Sequence, residues 1–198
     1  MSSILLRLIV LIDLVFPTAA FAHTGVGDTH GFMHGFIHPL SGIDHILAMV
    51  AVGVFAAHLG GRALWLVPAS FVSMMAIAGI FGATGASLPF VEMGIAISVV
   101  ALGLIVAFEA KPPVEAAMAL VALFAIFHGH AHGAELPEDT SGLVYGAGFV
   151  VATVLLHVVG ISTGLALGRT AATGGERVLQ LSGCAISVAG AAILIGII

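Results

Sequence analysis

Two stretches of this chain set imidazoles and carboxylates at spacings that suit a divalent metal ion. The first is His38-Pro39-Leu40-Ser41-Gly42-Ile43-Asp44-His45, running on into Ile46-Leu47-Ala48-Met49. On one continuous helix His38 and His45, seven apart, share a face, with Asp44 about 100° from His45 and Met49 one turn below it. The second is Phe127-His128-Gly129-His130-Ala131-His132-Gly133-Ala134-Glu135. His128 and His132 are four apart and Glu135 is seven from His128, so one helical face carries three ligand types and His130 is turned away. Imidazoles with one or two carboxylates suit Ni²⁺, Co²⁺ and Zn²⁺, whereas an all-oxygen cage would suit Mg²⁺ or Ca²⁺.

Histidine is the reactive currency of the whole chain. Ten histidines stand against five Lys plus Arg, and the single Cys184 rules out an internal disulfide and a thiolate cluster. Cys184 lies in a run of small apolar residues and reads as packing. Each histidine alone is as readily an interhelical hydrogen-bonding group. Pairs at ligand spacing on two separate segments are much harder to explain that way.

These groups sit in an apolar setting that determines the fold class. Of 198 residues, 60% are hydrophobic and only 8% charged, with a mean hydropathy of +1.22. So little polar surface excludes a soluble globule and gives no basic face for nucleic acid. The apolar runs are near-continuous rather than alternating, which favours helices over a transmembrane barrel. The expected class is all-α: a polytopic membrane bundle. An Asp near the centre of such a span costs about 2.5–3.5 kcal/mol, so intramembrane ionisable groups ordinarily face a partner, a cavity or an ion path.

Residues 1–22 read as a secretory signal peptide, with Arg7, an apolar core and Ala20-Phe21-Ala22 as a small-x-small cleavage site; the alternative is an uncleaved first span. Cleavage would leave His23 as a new N-terminus, and an α-amine beside an imidazole chelates Ni²⁺ or Cu²⁺. Residues 23–38 then form an N-terminal arm carrying Asp28, His30 and His34, either metal-collecting or simply solvated. Residues 39–198 form one domain of six spans, near 39–58, 63–83, 88–108, 113–134, 142–168 and 177–198. With the mature N-terminus outside, Arg62, Lys111, Arg169 and Arg177 fall on the cytoplasmic side, as the positive-inside rule asks. His38, Asp44, His45, the second cluster and Glu92 fall at the outer end, and His157, one turn after Thr153, lies deeper. Gly160, Gly164 and Gly168 mark a close-packing face.

His38-Pro39-x-x-Gly42-x-Asp44-His45-x-Leu47-Ala48-Met49-x-x-Val52-Gly53, Phe127-His128-Gly129-x-Ala131-His132-Gly133-x-Glu135 and Ala152-Thr153-x-Leu155-x-His157-x-x-Gly160 resemble the HupE/UreJ family of bacterial nickel and cobalt permeases. The resemblance covers essentially the whole mature chain. It implies a small secondary permease of the cytoplasmic membrane that imports Ni²⁺, in some members Co²⁺, for hydrogenase or urease maturation. It also implies His38, Asp44 and His45 as first-span ligands or filter residues, His128, His132 and Glu135 as fourth-span ligands and His157 as a fifth-span one. His23 and Glu92 are further candidates from the reading of the residues. The metal is then cargo, no prosthetic group is expected, and the partners are the ion, lipid and, left open, further copies of the chain.

No phosphate loop of the GxxxxGK[ST] type occurs, so uptake would draw on the membrane potential. The rival class is an intramembrane zinc hydrolase, with Ser41, Asp44, His45, His128, His132 and His157 recast around a metal-bound water. His58 and Glu109 would mark an inner exit, or else snorkel to water. Gly94-Ile95-Ala96-Ile97-Ser98-Val99 echoes Gly183-Cys184-Ala185-Ile186-Ser187-Val188, as an inverted repeat of three spans would.

Overall fold

The computed structural model describes residues 31–136, 141–169 and 174–197. The expected signal peptide, His23, Asp28, His30, Glu138 and Asp139 lie outside the described residues. Seven α-helices, and no strand, occur among those that are described: α1 Phe32–Ser41, α2 Ile43–Leu59, α3 Ala63–Ala83, α4 Val91–Ala107, α5 Val114–Ala134, α6 Gly142–Arg169 and α7 Gly175–Leu194. Helices α3, α5, α6 and α7 are each long and apolar enough to cross a membrane. The α1–α2 pair passes the same test as a unit, bent by 86°, and α4 is an apolar helix of 17 residues.

The bend changes the geometry expected for the first motif. His38 and His45 do not share a face of one helix, because α1 ends at Ser41 and α2 starts at Ile43 around an extended Gly42 (φ −93°, ψ 119°). A broken helix in a bilayer must satisfy its freed backbone groups from within the protein. Ser41 Oγ donates to the His38 carbonyl at 2.6 Å, closing one end. Asp44 Oδ1 accepts the main-chain N–H of His45 at 2.7 Å, closing the other, and its charge lies in the first turn of α2, where the helix dipole favours an anion. A Cβ on Gly42 would stand 2.7 Å from that same Asp44 oxygen, so glycine makes room for the carboxylate to fold back. Residues 32–38, placed by the sequence in the arm, are thereby part of a packed helix.

Helix α2 is the centre of the bundle and contacts all six of the others. Its Ala48, Met49, Ala51, Val52, Phe55 and Ala56 are fully buried with Phe71, Leu102 and Val121 from the surrounding helices. Large apolar side chains such as Trp65, Ile80, Phe81 and Leu181 point outward instead, the inside-out arrangement that lipid permits. The closest helix pairs are α1 and α2 on α6, α3 on α5 and α4 on α7. Glycines let these backbones approach: Gly53 meets Gly160 across α2 and α6, and Gly133 meets the Gly79 carbonyl across α5 and α3. Gly164 packs on Ala57, whereas Gly168 faces open space. The two segments of the echo belong to one such pair, with Ser187 Oγ donating to the Val100 carbonyl at 2.9 Å.

Candidate metal site

Helix α5 brings the second motif against the bend of the first. His132 Nδ1 lies 3.0 Å from His38 Nε2 and 3.3 Å from Glu135 Oε2, and His38 Nε2 lies 2.9 Å from that same carboxylate oxygen. The other nitrogen of His132, Nε2, lies 3.2 Å from His45 Nδ1. Two groups therefore have ligand atoms within 4.8 Å of one another: His38, His132 and Glu135 on the outside, and His45, His128 and His132 within. His132 belongs to both. With bonds of about 2.1 Å, neighbouring ligands in a tetrahedral or octahedral shell stand about 3.0–3.4 Å apart. The outer triangle already has that size.

The environment changes sharply between the two groups. Glu135 is exposed at the C-cap of α5, and His38 and His132 are half-buried, while His45 and His128 are completely shielded. The hydrogen bond from His132, with that from His38, holds the Glu135 carboxyl below the usual carboxylate range against the opposing effect of burial. It is the anionic member of the outer group. Aromatic rings wall the histidines in: Phe149 lies 4.7 Å from the His132 ring and 5.2 Å from His45, and Tyr145 lies 5.9 Å from His38. Such a wall limits the access of water to the imidazoles.

The full-length comparisons bear on what this cluster belongs to. The family model described as HupE / UreJ protein matches residues 10–193. Protein HupE of Rhizobium leguminosarum bv. viciae is 50% identical over 187 residues, which cover 94% of this chain and 95% of the relative. The chain belongs to the HupE/UreJ family. No solved structure matches it.

In this HupE/UreJ protein the remaining expected residues fall at varied distances from the cluster. His157 of α6 is buried, its ring 5.5 Å from that of Phe71, and neither of its nitrogens has a hydrogen-bond partner among the described residues. Asp44 lies beside His45 in sequence but outside both ligand groups, its carboxylate engaged at the bend. Glu92, exposed in the first turn of α4, is also outside them. His130 turns away as the helical spacing predicts, its Nε2 donating to the Ala86 carbonyl at 2.6 Å. Residues that the motif reading passed over are Ser98, 2.8 Å from His128 Nε2, and the ring of Phe149. Ser98 stood in the echoed segment, but no spacing rule links it to a histidine 30 positions away.

The opposite end of the bundle holds a second polar region. His58 Nε2 donates to the Glu109 carbonyl at 2.9 Å, and a cavity there is lined by His58, Glu109, Lys111, Arg169 and Glu176. Arg62 faces Glu115 at 3.7 Å, an exposed pair that contributes little to stability.

Proposed function

We propose that this protein is a secondary permease that imports Ni²⁺, with Co²⁺ as a second substrate, for hydrogenase or urease maturation. The observation that carries the reading is the outer triangle, three ligand atoms at metal-shell spacing on a half-buried rim, continued inward through the far nitrogen of its own His132. An ion captured by His38, His132 and Glu135 passes to His132, His45 and His128 with the same imidazole serving both positions. His157, with two unpartnered nitrogens, is the next polar group inward, and the His58–Glu109 cavity is the exit. For Asp44 the geometry favours building the bend over holding the ion. Glu92 remains a candidate for the approach to the rim.

Six spans result when the bent α1–α2 pair counts as one and α4 as another. In this reading the cavity end, with its basic residues, faces the cytoplasm as the positive-inside rule asks, and the histidine rim faces outside. In this reading signal cleavage after Ala22 exposes His23 as a chelating terminus above the rim. A divalent ion moving inward gains about 4.6 kcal/mol per 100 mV of inside-negative potential, twice the single-charge value, which suffices to drive uptake. Ser41 argues against the hydrolase alternative, because its hydroxyl is spent on the His38 carbonyl instead of facing the histidines.

The test is initial nickel uptake by sealed vesicles at fixed membrane potential, with competing ions. Co²⁺ and Zn²⁺ are expected to compete well and Mg²⁺ poorly, since Mg²⁺ gives up its waters reluctantly and prefers oxygen. Strong suppression by equimolar Mg²⁺, or no accumulation of any of these transition metals, contradicts the reading.

A further inference from the structure

Two hydroxyls lie against the shielded histidines of the inner group. Ser98 of α4 is fully buried, with its Oγ 2.6 Å from the Ile95 carbonyl oxygen and 2.8 Å from His128 Nε2. A carbonyl oxygen only accepts and a hydroxyl has one hydrogen, so that hydrogen goes to Ile95. The Ser98 oxygen can then meet His128 only as an acceptor, which requires a hydrogen on Nε2. His128 Nδ1 is left with its lone pair, buried and without a hydrogen-bond partner among the described residues. On α6, Thr153 Oγ1 stands 3.2 Å from His45 Nε2, and the other nitrogen of that ring, Nδ1, faces His132.

We propose that Ser98 is a positioning residue for metal transit: by accepting the Nε2 hydrogen of His128 it holds that imidazole in the one tautomer and ring orientation whose Nδ1 can ligate an ion. The proposal rests on the permease reading for its consequence, but not for its geometry. Partners on the second nitrogen of a ligating histidine orient the ring and raise its basicity, and losing one typically weakens metal affinity or activity 10–100-fold. In a water-poor bundle the loss is not made good by solvent. A Ser98→Ala variant removes one oxygen and leaves the helix backbone intact, so the fold should survive it.

The experiment has two readouts on the full-length protein. In metal-free membranes labelled with ¹⁵N-histidine, wild-type His128 should give a protonated, pyrrole-type Nε2 and an unprotonated, pyridine-type Nδ1, assigned by its loss in His128→Gln. Ser98→Ala should broaden or exchange these signals. In vesicles, Ser98→Ala should raise the nickel KM about tenfold or more with a much smaller change in maximal rate, and Ser98→Thr, which restores the hydroxyl, should recover both readouts. A wild-type His128 protonated at Nδ1 overturns the proposal whatever the uptake result. So does Ser98→Ala with unchanged tautomer signals and unchanged KM. The expected tautomer in a wild-type protein that takes up no nickel overturns instead the metal reading on which its consequence depends.

Discussion

At the scale of single residues the account depends on which groups compete with protons for the ion. Imidazole must be neutral to ligate. Glu135 behaves differently, because the His132 and His38 hydrogen bonds lower its carboxyl pKa. A lowered pKa means that its charge is lost only at a more acidic pH than for an ordinary carboxylate, so it stays anionic from pH 7 to 5.5. Glu135→Gln should therefore carry nickel several-fold more slowly than wild type at every pH in that interval, with initial uptake measured at fixed potential; wild-type and variant rates that converge by pH 5.5 contradict this. The i, i+4 spacing of His128 and His132, with Glu135 three residues on at the C-cap, was legible in the sequence because α5 and its cap carry them. Ser98 and Phe149 were not, since which faces of separate helices meet is a matter of packing that spacing along one segment does not encode.

At the scale of elements the decisive feature is the bend between α1 and α2. The sequence contained all its parts, Pro39, Ser41, Gly42 and Asp44, but a continuous helix with His38 and His45 on one face read equally well. What separates the two is whether side chains satisfy the broken backbone, and here Ser41 and Asp44 do. If the Asp44 carboxylate serves the bend, Asp44→Asn, which keeps an acceptor oxygen, should retain most nickel uptake, and Asp44→Ala should lose about 1 kcal/mol of stability together with most uptake. Equal loss in both variants would assign the carboxylate to the ion instead. Helix α1 is seated by reciprocal close approaches, Gly35 onto the Tyr145 backbone and Gly148 onto that of Phe32. Gly148→Leu should force α1 from α6, destabilise the protein by about 1–3 kcal/mol and weaken uptake, as followed by thermal unfolding in detergent and vesicle transport. An unchanged melting temperature would show that α1 is not held there.

At the scale of the whole molecule the sequence was most informative, because composition and run length dominate in a membrane. The expected segments 63–83 and 142–168 agree with helices Ala63–Ala83 and Gly142–Arg169 to within a residue. The first segment departs most, since its helical structure begins earlier, at Phe32, and turns by 86°. Sidedness has its own check. In a Cys184→Ser background, a membrane-impermeant maleimide added outside should label Ala86→Cys and leave Lys111→Cys untouched; the reverse pattern would invert the topology. The central claim is that the ion crosses through His132, the imidazole common to both ligand groups, and the most direct measurement compares nickel transport by reconstituted His132→Ala and His130→Ala at matched protein levels. The account predicts that His132→Ala loses at least nine-tenths of transport, on the order of a tenfold or greater effect for a lost ligand, while His130→Ala, two residues away but turned to Ala86, stays near wild type. Equal rates in the two variants, or a loss confined to His130→Ala, would contradict it.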